Sequence, residues 1–435
     1  MNLPVAHKIV LTTVGTLGDL HPFLALAQAM QDRGIRVLLG CPEDHVKKAR
    51  AAGVEAVAIL PGFDEICFRM GCDKAEAARR IMGDQRQMLE QMILPALSDC
   101  AAKIDEISQG AAAIVTSPFV LAAPIIAEKR ALPLVAAILQ PMALLSALDP
   151  PNTRGFAMMK HGAVGPAGRA WNGAVYGVMR RVLAGLYGRN ISRVRRDHGL
   201  SPSGGPRMFE AAGAAAMTLG LYSAAFAPLP ADAPPDTELV GFPFFDSDTG
   251  VGNELQPALA AFLSAGPPPI VFTLGTFAVH ASGDFYKEAE RIARALGVRA
   301  VLLTGISEAA VTDGPIFRCG YAAHSRLFPR AAAVVHHGGI GTVGQALRAG
   351  TPQFVVPHMG DQHDHAHRVV NLGLGATMTP AKFKGGRATS VIAALLESSR
   401  VQARAAEMAG RVGAENAAST AAALVDEMVK QTRSN

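Results

Sequence analysis

Cysteine is scarce and scattered in this chain: Cys41, Cys67, Cys72, Cys100 and Cys319 are odd in number and never form a C-x-x-C pair. A disulfide framework and a structural zinc site are therefore not expected, and a reducing, cytoplasmic setting is. Aromatic residues make up only 6% of the sequence, with one tryptophan, and no basic stretch is interleaved with aromatics in the way a single-stranded nucleic acid platform requires. Nucleic acid is not expected as a partner. Unbroken apolar runs of membrane length are also missing. The two longest, Ala111 to Ala127 and Ala131 to Leu148, are interrupted by Pro118, Pro124, Pro133, Gln140 and Pro141, and they read as buried strands and helix starts. A signal peptide is not expected, because Ile9 to Val14 is too short an apolar core and runs into a glycine turn.

What the chain has is length and apolar content. At 435 residues, 49% hydrophobic and 18% charged, it exceeds what one core organises, so two domains are expected. The boundaries read as residues 1–243, a linker at 244–266, and residues 267–435, with the proline-rich stretch Pro228 to Asp236 as a stiff connector. The net charge of +5 suits an anionic ligand or an anionic membrane surface.

The stretch from Ala331 to Asn371 organises the rest. A buried strand, Ala331 to Val335, is broken by His336, His337, Gly338 and Gly339 before an amphipathic helix begins near Gly341. A second buried strand, Gln353 to Val356, ends at Pro357. The polar cluster Gly360 to Asp364 follows, at the carboxyl end where open parallel sheets place their ligand crevice. Glycines admit an anion to backbone N–H groups, and the start of the following helix favours negative charge. Asp361 and Gln362 suit neighbouring hydroxyls. Phosphate beside hydroxyls points to a nucleotide sugar. Gly339 to Gly344 also fits G-x-G-x-x-G with an acidic residue about twenty positions on, so a nicotinamide enzyme stays open as an alternative.

In the amino-terminal half, Lys8 to Thr13 reads as a strand, Gly15 to Asp19 as a turn and Pro22 to Asp32 as a helix. Asp19 at the strand's carboxyl end has two readings, a general base for an attacking hydroxyl or a helix cap. Gln140, Pro141 and Met142 follow the strand Leu134 to Ile138 and are expected either to line an acceptor pocket or to pack a loop. Arg154 to Arg207 carries ten Lys and Arg against one Asp, with Trp171, Tyr176, Met179, Leu183 and Tyr187 interleaved. It reads as a solvated helix face or as a peripheral contact with the inner membrane face. The histidines of the two glycine loops lack a recognised zinc spacing, and no metal is expected.

At these residues the chain resembles a GT-B glycosyltransferase of the family that includes the UDP-glycosyltransferases. His336 to Thr342 matches that family's H-x-G-x-x-S/T core, and Asp361-Gln362 matches its D-Q pair. Gly18-Asp19-Leu20-His21-Pro22 aligns with G-H-x-N-P. The resemblance implies an α/β fold of two Rossmann-like domains facing each other across a cleft, the last helix crossing back to the first domain. It implies Asp19, or else His21, as the base. Thr276, His336, Gly339, Gly341 and Thr342 would hold the diphosphate, Gln345 the ribose, Tyr321 and His324 the nucleotide base, and Asp361 and Gln362 the sugar. A finer likeness, to bacterial rhamnosyltransferases of rhamnolipid synthesis, rests on Gly241-Phe242-Pro243, Phe272 to Thr276, Gly283 to Tyr286 and Asp361-Gln362. The implied activity is inverting, metal-independent transfer of a hexose from a UDP- or dTDP-linked donor to a hydroxyl of a small lipophilic acceptor, a hydroxy-fatty-acid lipid among them, with no cofactor. A nucleotide-sugar epimerase, a nicotinamide oxidoreductase and a non-catalytic sensor of sugar nucleotides stand as alternatives.

Overall fold

Side chains alternate between two cores along the first strand, β1 (Lys8–Thr12): Ile9 and Leu11 face one core and Val10 the other. A strand buried on both faces is the mark of a parallel sheet covered by helices on each side. The protein is described by a computed structural model covering residues 7–202, 215–247, 249–305, 310–384 and 386–434. It divides into two units, one of Met1–Gly71, Arg86–Phe245 and Asn416–Asn435, the other of Cys72–Gln85 and Asp246–Glu415.

Among the described residues the first unit holds seven strands, β1, β2 (Arg36–Pro42), β3 (Ala56–Leu60), β4 (Ala111–Thr116), β5 (Leu134–Ile138), β6 (Met217–Gly220) and β7 (Thr237–Leu239). They lie in the order β3-β2-β1-β4-β5-β6-β7, all neighbours parallel. Helix α1 (Leu17–Asp32) begins five residues ahead of the expected start at Pro22, because Thr16 and Asp19 form a capping box across the glycine turn. Phe23, Leu24, Ala27 and Met30 of α1 share a core with Ala421, Ala422, Val425 and Val429 of the final helix, Ala417–Ser434.

The described residues of the second unit also form seven strands, β8 (Ile270–Thr273), β9 (Ala300–Leu303), β10 (Val311–Asp313), β11 (Ile316–Cys319), β12 (Ala333–His336), β13 (Gln353–Val355) and β14 (Gly375–Thr377). Their order is β10-β11-β9-β8-β12-β13-β14, parallel except for the β10–β11 pair. Helix Lys74–Gly83 comes from the amino-terminal half of the sequence yet belongs to this unit, and Met82 packs on its core. Nothing local in the sequence announces that excursion. The basic stretch forms α2 (Pro166–Asp197), and its residues 203–207 lie outside the described ones.

Candidate active site

Strand order reverses between β8 and β12 in the second unit and between β1 and β4 in the first. The carboxyl ends of strands at such a reversal form the crevice in which open α/β sheets bind ligands. The sequence-expected residues follow the carboxyl ends of β8, β11, β12 and β13 in the second unit and of β1 and β5 in the first.

After β8, Thr273 Oγ1 accepts the Gly275 N–H at 3.2 Å, and Gly275 turns the chain at φ +68°, leaving Thr276 exposed. After β12 the two histidines part company. His336 is 0% exposed: its Nδ1 accepts the Gly338 N–H at 3.1 Å, and its Nε2 lies 3.0 Å from Gln353 Oε1 on β13. With Nδ1 accepting, the proton sits on Nε2 and is donated to Gln353. Both nitrogens are spent inside the protein, so the expectation that His336 holds phosphate is corrected: it ties the glycine turn to β13.

His337 occupies the turn instead. A Cβ on Gly275 would fall 2.6 Å from its Cε1, and one on Gly339 would fall 2.4 Å from its Nε2. Only glycines let the two backbones close on the ring. Its Nδ1 is buried and finds no partner among the described residues. The signal for this residue was in the sequence, since the six-residue spacing H-x-G-x-x-T is met from His337 to Thr342 and not from His336.

Gly338 stands at φ +93°, and a Cβ there would meet Val355 Cγ1 at 2.8 Å and the Gln362 carbonyl at 3.1 Å. Its own carbonyl accepts from His365 Nδ1 at 2.8 Å. The glycine turn and the Asp361-Gln362 loop are thus one packed piece. Gly339 caps helix α3 (Ile340–Ala349) without any side-chain cap, so the N–H groups of Ile340, Gly341 and Thr342 open the helix with no intrahelical acceptor. One turn on, Gln345 is buried, and its Oε1 has no partner among the described residues.

Gln362 Oε1 accepts the N–H groups of His358 at 2.9 Å and Met359 at 3.1 Å, which closes the loop and leaves its amide NH₂ to donate. Asp361 is partly exposed, 3.8 Å from His365 Nδ1, and desolvation raises its pKa above the usual aspartate value. Tyr321 and His324 converge on a residue the sequence reading missed. The Tyr321 hydroxyl donates to Asp246 Oδ1 at 2.8 Å, and the His324 N–H reaches the same oxygen at 3.2 Å. The His324 ring stacks on Tyr321 and on Phe328, with centroids at 5.9 and 4.4 Å.

Burial holds the His336 pKa down at about 3 and lowers those of His337, His324 and His358. All four are neutral at pH 7. The unfolded chain, with histidines near ~6.5, binds protons more readily below that pH than the folded protein does. Stability is therefore full above the unfolded value and lost as pH falls below it. The raised Asp361 pKa acts with the opposite sign, at lower pH. The melting temperature should be flat from pH 8 to 7 and fall steadily between about pH 6.5 and 5. A flat profile down to pH 5 would show that these rings are charged without cost.

In the first unit Asp19 Oδ2 accepts the Thr16 N–H at 2.8 Å and lies 3.3 Å from Thr16 Oγ1. A Cβ on Gly15, at φ +126°, would sit 2.1 Å from the same oxygen, so the glycine makes room for the carboxylate. His45 Nε2 steadies that turn, 3.0 Å from the Gly15 carbonyl oxygen. His21 lies two residues further along α1 and packs on Phe245 with centroids 5.4 Å apart. Positions two apart on a helix do not face each other, so Asp19 and His21 present different sides. At the neighbouring strand end, Thr12 and Thr116 join hydroxyls at 2.7 Å. The Ser117 hydroxyl is buried without a partner among the described residues. Gln140 is half-buried after β5, ahead of the short 3₁₀ turn Pro141–Leu144 that contains Met142.

Among the described residues no group of three His, Cys, Asp or Glu side chains is arranged to hold a metal ion, and no helix is long and apolar enough to cross a membrane. All five cysteines are free.

Residues 9–147 match the glycosyltransferase family 28 N-terminal domain, and residues 313–430 match the erythromycin biosynthesis protein CIII-like C-terminal domain. The chain is 30% identical over 431 residues to O-mycaminosyltylonolide 6-deoxyallosyltransferase of Streptomyces fradiae, covering 97% of both. It is 30% identical over 437 residues to vancomycin aglycone glucosyltransferase of Amycolatopsis orientalis, covering 98% of both. The glycosyltransferase VinC in complex with dTDP superposes with a TM-score of 0.69 over 98% of this chain and 100% of that one, at 16% identity.

Proposed function

Since the chain belongs to the GT-B glycosyltransferases of the EryCIII-like, family 28-like group, enzymes that use nucleotide sugars, we propose that it moves a hexose from a UDP- or dTDP-linked donor to a hydroxyl of a small lipophilic acceptor, inverting the anomeric centre without a metal ion or other cofactor. The observation that carries this reading is the His337 ring closed between Gly275 and Gly339 at the open head of α3, with Gly338 packed on Gln362. That piece offers hydrogen-bond donors for a diphosphate beside polar groups for hydroxyls.

In this reading Asp19 takes the proton of the acceptor hydroxyl as its oxygen bonds to the anomeric carbon. The bond from that carbon to the diphosphate oxygen breaks, and the electron pair leaves with the diphosphate. The growing charge is met by the Gly341 and Thr342 amides, the Thr276 hydroxyl and a ring N–H of the neutral His337. These donors are what the absence of a metal requirement rests on. Asp361 and the Gln362 amide hold sugar hydroxyls, Gln345 the ribose, and Tyr321 and His324 the base. Gln140, Pro141 and Met142 line the acceptor side. The relatives named above act on O-mycaminosyltylonolide and on vancomycin aglycone, which favours a bulky aglycone over the hydroxy-fatty-acid lipid that the rhamnosyltransferase likeness raised.

The test is to incubate the protein with UDP- and dTDP-hexoses, with and without polycyclic, macrocyclic and hydroxy-lipid alcohols, and to follow nucleoside diphosphate release and product configuration. Acceptor-dependent release with an inverted glycoside is expected. Conversion of the donor with no acceptor would favour an epimerase, and a change in nicotinamide absorbance an oxidoreductase. Either would overturn the proposal.

A further inference from the structure

Helix α2 is held to the first unit by one face and leaves the other bare. Asn172 Nδ2 donates to the carbonyls of Ala147 at 2.9 Å and Lys160 at 3.0 Å, and the Tyr176 hydroxyl donates to the Ser146 carbonyl at 3.3 Å. Further along, the Tyr187 hydroxyl reaches Glu90 at 2.9 Å, and Arg195 forms a two-pronged pair with Glu128 at 2.8 and 2.7 Å. These contacts fix which side of the helix turns outward.

The outward side is apolar where a solvated helix would be polar. Trp171, Val178, Val182 and Leu186 are 46%, 56%, 54% and 58% exposed. They recur at i, i+7, i+11 and i+15, which on a helix of about 100° per residue is one stripe. Met158 is 69% exposed, and its carbonyl accepts the Trp171 indole N–H at 2.8 Å, extending the apolar surface past the helix. The same stripe continues as Arg189, Arg193 and Arg196, at steps of three, four and three, with Arg181 beside it. All four arginines are exposed and make no ion pair among the described residues. From Arg154 to Arg196 the sequence has no acidic residue.

We infer that this face lies on an anionic phospholipid surface. Apolar side chains that enter the headgroup boundary, an indole at one end, and unneutralised cations in line with them are what an interfacial helix needs. The charge decides between occupants. A second copy of this chain would bring no carboxylate to these arginines from the same acid-free stretch, whereas an anionic lipid surface neutralises them, and an aqueous role leaves the stripe of Val and Leu unexplained. Because Ser146 and Ala147, to which α2 is anchored, follow Met142 by only a few residues, the contact would set the acceptor segment beside the bilayer. The inference does not depend on the transfer reaction, and its test uses none.

Trp171 is the only tryptophan of the chain, so it reports on this face without labelling. Added to vesicles of phosphatidylcholine containing phosphatidylglycerol, the full-length protein should float with them. Its emission should shift to the blue, and both effects should weaken in high salt. Vesicles of phosphatidylcholine alone should do much less. Leu186→Asp, and Arg189→Glu with Arg193→Glu and Arg196→Glu, change exposed positions and should keep the melting temperature while cutting vesicle binding by about tenfold or more. No shift with anionic vesicles, or stripe variants that bind like the parent, would overturn the inference. So would a dimer in sedimentation that Leu186→Asp dissolves, because the face would then belong to a second copy.

Discussion

Asp19→Asn should lower the rate of transfer by roughly 10²- to 10⁴-fold and leave nucleoside diphosphate affinity within about twofold of the parent. The substitution separates the cap that the carboxylate forms from the base that it is proposed to be. In the capping box Asp19 Oδ2 accepts the Thr16 N–H, and an asparagine oxygen of the same shape accepts it equally well, so α1 keeps its start. An amide cannot take a proton from an attacking hydroxyl, so the chemical step alone should suffer. Calorimetry with UDP and dTDP, a melting curve and single-turnover rates would be measured on one preparation. A variant retaining most of its turnover would reduce Asp19 to a cap. His21→Ala is the companion experiment. The ring faces another side of the helix and packs on Phe245, so its loss should cost less than that of the Asp19 carboxylate. The reverse order would make His21 the base.

The two-unit α/β organisation was legible in the sequence because parallel strands are written as short, nearly unbroken apolar runs punctuated by glycine. Ala333–His336 and Gln353–Val355 stood out for that reason. The glycine turn and the Asp361-Gln362 loop were legible for a second reason, since their chemistry is local and their spacing short. Three of the features misread or missed show why. The helix at Leu17 hides behind Gly15 and Gly18, where a capping box outweighs glycine's poor helix propensity, and Pro22 lies inside it rather than at its start. Asp246 reaches Tyr321 and His324 from some seventy-five positions away, a meeting that no spacing rule foretells. And of two adjacent histidines on one strand end, alternation sends one inward and the other into the turn, so a one-residue slip exchanges their roles.

That exchange yields the sharpest contrast the structure offers. His337→Ala should weaken UDP and dTDP binding by roughly 10- to 100-fold, as expected from losing a hydrogen bond of about 1.5–3 kcal/mol to a charged oxygen. Its melting temperature should change little, because the ring is only half-buried and its Nδ1 gives up no partner among the described residues. His336→Ala should do the opposite in the first instance. It opens a cavity under β12 and strands both Gln353 Oε1 and the Gly338 N–H, a loss on the order of 2–4 kcal/mol of stability. Whatever donor affinity it loses should return in part with His336→Asn, which can restore one of those bonds without reaching any ligand. Rescue of this kind is not open to a residue that touches phosphate, so it distinguishes a positioning role from a binding one. If His337→Ala binds nucleoside diphosphates as tightly as the parent while His336→Ala alone fails at unchanged stability, the phosphate seat has been placed on the wrong ring. The hydrogen bonds from His336 to Gly338 and Gln353 would then have to break on ligand entry.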